Sequence, residues 1–121
     1  VPVCAFDVDT NAVLAAKENI RRNGVASLVR ASRSSSYASL EVKKAAPYDL
    51  IVSNILANPL CQMAKNMSQI SRNIPMGSCV VILAGFHDCD ANRVYAAHYA
   101  QGFRLVRSYH IKGWCTFVLK R

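Results

Sequence analysis

The sequence lacks a long apolar run and lacks a leader pattern. Its longest uninterrupted apolar stretch, residues 79–84, is far shorter than the roughly 18 residues that a membrane-spanning helix needs. The first residues show no basic start followed by an apolar block, so no signal peptide is predicted. The chain begins at Val1 inside an apolar strand pattern, which favours an excerpt of a longer protein.

Cysteines with CxxC spacing are also lacking, and the number of cysteines is odd. The five cysteines are Cys4, Cys61, Cys79, Cys89 and Cys115. Most have apolar neighbours, which is typical of free thiols that serve as small core residues in a reducing cytosol. We therefore expect a cytoplasmic protein with no metal, since zinc ligands would have to come from scattered positions.

Acidic residues are scarce: seven face fifteen basic ones, for a net charge of +8. The basic residues are spread along the chain without interleaved aromatics. This spread favours an ordinary solvated surface over a dedicated RNA face, although contact with RNA through the basic surface stays open. A chain of 121 residues that is 52% hydrophobic is long enough to form one domain around a buried core.

Apolar strand patterns alternate with helical ones along the chain. Strands are predicted at residues 3–8, 28–31, 48–53, 79–84, 103–110 and 114–119, and helices at 11–22, 60–70 and from 88 or 90 to 101. Residues 32–47 form a polar link, 54–59 a loop, and Pro75-Met76-Gly77 a turn. This order predicts an α/β fold whose buried sheet is mostly parallel and ends in an antiparallel hairpin.

Ligands of such sheets bind outside the carboxyl ends of the strands. Asp7 ends the first strand and can accept both hydrogen bonds of a ribose diol, as also happens in nicotinamide-binding proteins. The alternative role is a helix cap, which suits Asp9 or Thr10 better. Asn54 ends the third strand, where its amide oxygen either faces a transferred group or satisfies its own turn. Both interpretations of Asn54 stay open.

Gly85 follows the fourth strand and would let a ligand approach the backbone closely. His87 and Asp88 come next and could form an acid–base pair, but a solvated loop histidine is the favoured interpretation. His98 and His110 are interpreted in the same way. The sequence has no GxSxG, HExxH or phosphate-cradling loop. The residues alone therefore indicate an α/β domain for a nucleotide-type cofactor.

Several segments, taken together, resemble one family. FDVDTNAVLAAKENIRRNGV is similar to the second motif of class I S-adenosylmethionine-dependent methyltransferases, and YDLIVSNILANPL is similar to the fourth motif of the PrmA family. That family methylates a large-subunit ribosomal protein. Its later elements match Pro75-Met76-Gly77, Ala84-Gly85-Phe86-His87, Gly102-Phe103 and Lys112-Gly113-Trp114. The resemblance covers nearly all 121 residues and implies a Rossmann-like fold.

The resemblance also implies roles for single residues. Asp7 is expected to hold the ribose hydroxyls of S-adenosylmethionine, Val8 to pack on the adenine, and Ser34 (or another of the serines up to residue 36) to lie near the adenine amino group. Asn54 and the backbone carbonyl of Ile55 are expected to receive the target amine beside the cofactor. Asp7 and Asn54 should then converge on one pocket at one rim of the sheet.

The chain also departs from the family pattern. The strand and glycine-rich loop that precede Val3 in the family are absent, as is the family's N-terminal recognition domain, so residues 1–121 are expected to be one partial domain. Gly113 stands where the family has Glu, and His87 and Asp88 stand in a segment that is usually rich in Ile and Leu. The absent strand lies between the first and third strands of this chain, so we expect feeble cofactor binding by this piece alone.

Three other functions stay open. The first is a non-catalytic remnant that survives as a partner-binding module, which the basic charge and the departures favour. The second is a methyltransferase for RNA or a small molecule built on the same core. The third is a nicotinamide-dependent enzyme, which the terminal hairpin and the Asn54 segment suit poorly.

Overall fold

The structure is a computed structural model that describes residues 1–71 and 79–121. The chain forms two compact units, Val1–Ala45 and Ala46–Arg121, which are described in turn. The predicted turn at Pro75-Met76-Gly77 lies outside the described residues. Among the helices of the described residues, none has the length and apolarity that a membrane crossing requires.

The first unit is a parallel strand pair with two helices. Its elements are β1 (Val3–Asp7), α1 (Thr10–Arg22), β2 (Val29–Arg33) and α2 (Leu40–Lys43). Val3 lies opposite Val29, and Asp7 lies opposite Arg33. The strand that was predicted at residues 28–31 is observed at Val29–Arg33. The crossover through α1 is what allows two successive strands to run parallel.

The start and the end of α1 follow the predicted signals. The side chain of Asp9 accepts a hydrogen bond from the backbone N–H of Asn11 at 2.8 Å, so Asp9 rather than Thr10 caps the helix. Gly24, with φ of 67°, follows the C-cap Asn23 and takes the left-handed conformation that ends many helices. Val13 is the buried residue of α1.

The short helix α2 lies in the segment predicted as a polar link. The Ser39 side chain caps it by accepting from the backbone N–H of Val42, and Val42 is buried. A helix of four residues is too short to show a hydrophobic period in the sequence. Its cap was the one local signal that could have predicted it.

The second unit holds a four-stranded mixed sheet. Its elements are β3 (Leu50–Asn54), α3 (Ala57–Ile70), β4 (Val80–His87), a 3-10 turn (Asp88–Asp90), α4 (Ala91–Tyr99), β5 (Arg104–Ile111) and β6 (Trp114–Lys120). The strand order is β3-β4-β6-β5, in which β3 and β4 are parallel and β6 is antiparallel to both of its neighbours. The predicted α/β class, with its antiparallel terminal hairpin, is confirmed.

Three predicted boundaries in this unit were wrong. The helix α3 begins at Ala57, inside the predicted loop, because Pro59 falls in the first helical turn, where a proline costs no hydrogen bond. The strand β4 continues through Gly85 to His87, since a bulge between Leu83 and Phe86 restores its pairing with β6. The helix α4 ends at Tyr99 rather than at Gln101, while Asp90 stands at its N-cap, as predicted, but without a side-chain hydrogen bond to the helix.

The burial of β3 also differs from the prediction of a fully buried strand. Ile51 and Ser53 are buried, whereas Leu50 and Val52 are 54% and 64% exposed. Successive side chains of a strand point to opposite faces. Ile51 and Ser53 therefore share the buried face of β3, and Leu50 and Val52 share its exposed face.

The terminal hairpin is confirmed in detail. Lys112 and Gly113 have φ values of 50° and 82°, as the two central residues of a tight turn between twisted strands require. The pairing places His110 opposite Cys115 and Ile111 opposite Trp114. Every residue of β5 is exposed, and β5 is the end strand of its sheet.

The resemblance predicts that β1 and β3 each lack one neighbour. Within the first unit β1 pairs with β2 alone, and within the second unit β3 pairs with β4 alone, as far as the described residues go. Each of the two strands is therefore an end strand of its own sheet.

Candidate functional site

The carboxyl end of β1 presents the carboxylate of Asp7. Its Oδ1 accepts from the backbone N–H of Asp9 at 2.9 Å, which fixes the side chain on its turn. Its Oδ2 has no hydrogen-bond donor among the described residues, and Asp7 is exposed. Val8 follows with 61% exposure, and its carbonyl accepts from Arg33 Nε at 3.0 Å. The end of β1 thus offers one free carboxylate oxygen beside an apolar side chain.

Ser34 lies at the carboxyl end of β2 and braces a serine loop. Its backbone N–H donates to the carbonyl of Asp7 at 2.9 Å. Its hydroxyl donates to the carbonyl of Ser36 at 2.9 Å and lies 2.7 Å from the hydroxyl of Ser39. The Ser34 oxygen also accepts from the backbone N–H of Ser36 at 3.3 Å and, because its own proton goes to the Ser36 carbonyl, from the Ser39 hydroxyl. A hydroxyl oxygen has two lone pairs, and both are used within the loop.

Asn54 and Ile55 stand at the carboxyl end of β3 and are held by Gly85. The Ile55 N–H donates to the carbonyl of Ala84 at 3.2 Å. A Cβ built on Gly85 would lie 2.8 Å from Asn54 Oδ1, from Ile55 N and from Ile55 O, closer than real Cβ atoms come. Gly85 also has φ of 87°. Only glycine allows this approach, so the close neighbour of Gly85 is the Asn54–Ile55 segment itself rather than the ligand that we expected there.

The carbonyl of Ile55 lies just outside α3. The N-cap of α3 is Leu56, whose carbonyl accepts the first hydrogen bond of the helix from the Leu60 N–H at 3.2 Å. The carbonyl of Ile55 precedes this cap, so the hydrogen bonds of the helix do not use it. Among the described residues the Ile55 carbonyl and the Asn54 side chain have no hydrogen-bond partner, and both residues are exposed. Two oxygens at this strand end can therefore accept.

His87 and His110 are exposed, as expected of solvated histidines, and each also has a neighbour in the structure. The His87 ring stacks on Trp114 with 4.0 Å between ring centroids, and its Nδ1 lies 3.3 Å from the carbonyl of Gly113. Asp88 pairs with His110, at 2.6 Å between Oδ1 and Nδ1. His87 and Asp88 therefore do not form an acid–base pair with each other, in line with the favoured interpretation.

His98 is buried inside the second unit rather than solvated. Its Nδ1 lies 2.7 Å from the carbonyl of Val94, and its Nε2 is buried without a hydrogen-bond partner. Burial lowers the pKa of His98, and the hydrogen bond to Val94 only partly opposes this shift. His98 therefore stays neutral near pH 7 and packs as a core side chain against the ring of Phe103.

Two contacts in this unit were not predicted from the sequence. The contact of Gly85 with Asn54 and Ile55 has a local signal, since a glycine inside a strand indicates close approach by backbone. The pairing of Asp88 with His110 spans 22 residues and has no local signal. The predicted turn at Lys112-Gly113 sets the register of the hairpin and so places His110 opposite Cys115, but it does not indicate that Asp88 lies near them.

Known proteins resemble this chain along its whole length. The sequence model described as "Ribosomal protein L11 methyltransferase (PrmA)" matches residues 1–121. The chain belongs to that family. A ribosomal protein L11 methyltransferase of Rhodopseudomonas palustris (strain BisB5) is 41% identical over 120 residues, which are 99% of this chain and 39% of the relative. One of Rhizobium rhizogenes is 39% identical over 121 residues, which are 40% of its length.

Solved structures share the fold of this PrmA-family chain. A ribosomal protein L11 methylase of Lactobacillus delbrueckii subsp. bulgaricus superposes with a TM-score of 0.85 at 23% identity and covers 99% of this chain and 57% of its own. An M1A22 tRNA methyltransferase of B. subtilis superposes with a TM-score of 0.73 at 16% identity, covering 98% of this chain and 49% of its own. The fold is thus the class I methyltransferase fold, and it is common to enzymes whose names give different acceptors.

The chain spans about two fifths of the curated relatives that it matches. The family and the fold are therefore established for this segment. Activity, cofactor, substrate and partners are properties of a whole protein, so for this chain they are proposals.

Proposed function

We propose that this chain is the cofactor- and amine-binding part of an S-adenosylmethionine-dependent methyltransferase that acts on amino groups of a large-subunit ribosomal protein. Membership of the PrmA family supports the reaction class. The relatives named ribosomal protein L11 methyltransferase, up to 41% identical, support the substrate. We assign Asn54 and the Ile55 carbonyl to the amine, and Asp7, Val8, Ser34 and Asn54 to the cofactor.

One observation carries the proposal: two acceptor oxygens are fixed side by side and left unused. Gly85 leaves room for Asn54 Oδ1 and the Ile55 peptide where a Cβ would collide at 2.8 Å. The Ile55 carbonyl precedes the N-cap Leu56, so the first turn of α3 does not use it. Both residues are exposed at the carboxyl end of β3 and no described residue donates to these two oxygens, so the pair suits a ligand that donates two N–H groups.

The residues at the end of β1 fit the ribose end of the proposed cofactor. A ribose diol donates hydrogen bonds, and Asp7 Oδ2 is an exposed acceptor that the protein has not used. The apolar side chain of Val8, 61% exposed, suits the face of an adenine. Ser34 fits less well, because its hydroxyl already makes three hydrogen bonds to Ser36 and Ser39 and would have to give one up to bind a ligand.

S-adenosylmethionine supplies a methyl group already activated by a sulfonium sulfur, so the protein needs to align the acceptor rather than create a strong nucleophile. Asn54 Oδ1 and the Ile55 carbonyl each accept one N–H of the amine. A neutral amine held in this way keeps its lone pair free and directed away from both oxygens. Amide oxygens are too weakly basic to take a proton from an ammonium group, so the amine has to lose its extra proton before the methyl group is transferred. Such alignment contributes through proximity and orientation.

The test uses a chimera, because this chain matches only part of its relatives. Residues 1–121 replace the matching 120 residues of the Rhodopseudomonas palustris relative, and labelled methyl transfer is measured into ribosomal protein L11 and into ribosomal RNA. We expect label in the protein. Asn54→Ala should lower the rate on the order of a hundredfold by releasing the amine. The matched control is Asn58→Ala, since Asn58 bonds Arg93 instead.

The other functions predict different results for the chimera. Label in RNA alone would assign the RNA methyltransferase function. Cofactor binding without any transfer would assign a non-catalytic remnant. Asp7→Asn should weaken cofactor binding roughly tenfold or more, because hydrogen bonds to a charged group are worth about 1.5–3 kcal/mol. Asp9→Asn is its control, since asparagine caps a helix equally well.

The net charge of +8 supports contact with RNA next to a ribosomal substrate. Weakening of ribosomal substrate binding with added salt, beyond that of a neutral peptide substrate, would support this contact. A ribosomal substrate and five free cysteines support a cytoplasmic location.

A further inference from the structure

A second cluster of chemical groups lies in the second unit. One ligand atom each of Asp88, His110 and Cys115 lie within 4.8 Å of one another. Asp88 directly follows β4, whereas His110 and Cys115 face each other across the β5–β6 hairpin. Asp88 and His110 are 22 residues apart in the chain, and His110 and Cys115 are 5 residues apart, so no local pattern predicts a metal site. The order of the strands in the sheet brings the three side chains together.

The backbone under the cluster is fixed without any ligand. The tight turn at Lys112 and Gly113 sets the register that places His110 opposite Cys115. The Asp88 N–H donates to the carbonyl of Gly113 at 3.0 Å, which ties the end of β4 to that turn. Cys115 also pairs with Phe86 on the other side. A site on such paired strands needs little ordering when a ligand arrives.

We propose that Asp88, His110 and Cys115 bind a zinc ion, with solvent in the fourth position. Thiolate, imidazole and carboxylate are the three side-chain ligand types that zinc takes. A sulfur ligand disfavours calcium and magnesium, which take oxygen. One carboxylate and one thiolate also balance the two charges of the ion.

The spacing suits a tetrahedral ion after a small movement. Zinc lies about 2.0–2.3 Å from nitrogen, oxygen and sulfur ligands, which puts tetrahedral ligand atoms roughly 3.2–3.7 Å apart. Without metal, His110 Nδ1 and Asp88 Oδ1 lie 2.6 Å apart, sharing a hydrogen bond. Their side chains are 50% and 48% exposed, so both can move by the required ångström. The adjacent His87 is held on Trp114.

Two simpler roles account for less of the cluster. A surface ion pair explains His110 and Asp88 but not the thiol beside them, and such a pair contributes at most about 1 kcal/mol. A nucleophilic cysteine needs access to its substrate, whereas Cys115 is only 1% exposed. A small metal ion reaches the sulfur from the side of the two exposed ligands.

The experiment titrates Zn²⁺ and Co²⁺ separately into the whole 121-residue chain with a phosphine reductant that does not bind metal. We expect one ion per chain by equilibrium dialysis, a higher unfolding temperature with Zn²⁺, and a cobalt spectrum with both the thiolate charge-transfer band and the visible bands of four-coordinate cobalt. No bound ion at micromolar metal, or a cobalt spectrum without the thiolate band, overturns the proposal.

Single variants assign the ligands. Cys115→Ser, His110→Gln and Asp88→Asn should each weaken binding on the order of tenfold to a hundredfold. Cys89→Ser is the matched control, because Cys89 is exposed and follows Asp88 directly. Loss of binding in Cys89→Ser, or none in His110→Gln, contradicts the assignment. Circular dichroism checks that each variant folds, and since His110 is exposed on an end strand, His110→Gln should leave the fold intact.

Discussion

The two units of the chain differ sharply in how much apolar surface they bury. In the first unit the buried apolar side chains are Val13 and Val42, while Leu14 and Leu40 are 57% and 75% exposed. The second unit buries a continuous set from both helices and three strands. The fully or almost fully buried residues include Leu60, Met67, Val81, Leu83, Phe86, Val94, Phe103 and Leu119.

This difference separates two parts of the proposed site. Asp7 stands on a two-stranded sheet with a thin core, and small sheets of this kind are marginally stable alone. Asn54 stands on a four-stranded sheet with packed helices. We infer that the second unit supplies most of the stability and that the amine-binding end is better preorganised than the ribose-binding end. The predictions below test this contrast.

The largest expected effect is a core truncation in the second unit. Phe103→Ala should lower the free energy of unfolding by about 3–5 kcal/mol, since Phe103 is fully buried. Val13→Ala in the first unit should cost only about 1–2 kcal/mol, because it removes two methyl groups. Urea unfolding followed by far-ultraviolet circular dichroism, to which the helices of both units contribute, measures both costs. Equal costs would remove the contrast.

The next effect concerns glycine in the two units. Gly85→Ala should cost about 2–5 kcal/mol, because the left-handed conformation costs about 1–2 and the forced contacts with Asn54 and Ile55 about 1–3 more. Gly24→Ala is the matched control, with φ of 67° and nothing within 4 Å of the added Cβ, and should cost only the conformational part. Urea midpoints measure both, and equal losses would mean that the Asn54 segment yields freely.

The helices and strands of both units were largely predicted from the sequence, but which of their faces are buried was not. Period and caps predicted α1 with its Asp9 cap, the strand cores and the tight turn at Lys112-Gly113. The exposed faces of Leu50 and Val52 were missed, because an apolar strand carries no information about which of its faces finds a partner. The second half of β4 was missed because Gly85 looked like a strand end, whereas a bulge carried the strand on.

The candidate site was predictable to the same extent. Asp7 and Asn54 follow from their places at strand ends, and their roles from the family resemblance. The contact of Gly85 with Asn54 and Ile55 depends on the pairing of β3 with β4 and on the bulge in β4. A glycine inside a strand indicates a close approach, but which segment approaches is decided by pairing between distant parts of the chain.

The third prediction is a pH effect that belongs to the second unit. Burial lowers the pKa of His98 in the folded state, so the unfolded state takes up the proton first as the pH falls. Stability from neutral His98 is fully present above pH of about 6.5, the usual histidine pKa, and is lost as the pH falls toward the lowered folded pKa. The urea midpoint should therefore be lower at about pH 5.5 than at about pH 7.5, two values that lie on either side of that pKa.

His98→Leu separates this effect from general acid sensitivity. The variant has no ring to protonate and no buried Nε2 without a partner, so its midpoints should depend less on pH. Each unit of pKa lowering corresponds to about 1.4 kcal/mol between the two limits. His87→Gln is the matched control, because His87 is exposed and should leave the pH dependence unchanged. An unchanged pH dependence in His98→Leu would assign the loss to other groups.

The smallest expected effect compares two aspartates that precede helices. Asp9 caps α1 through the Asn11 N–H at 2.8 Å, so Asp9→Ala should cost about 1 kcal/mol. Asp90 precedes α4 without a side-chain cap and instead accepts from Arg93 Nε at 2.8 Å, an exposed ion pair worth at most about 1 kcal/mol and often nothing measurable. Asp90→Ala should therefore cost less than Asp9→Ala in helicity and in urea midpoint. Should Asp90→Ala cost more, the Arg93 contact stabilises the second unit beyond what its exposure suggests, and the first unit depends on its cap less than its thin core implies.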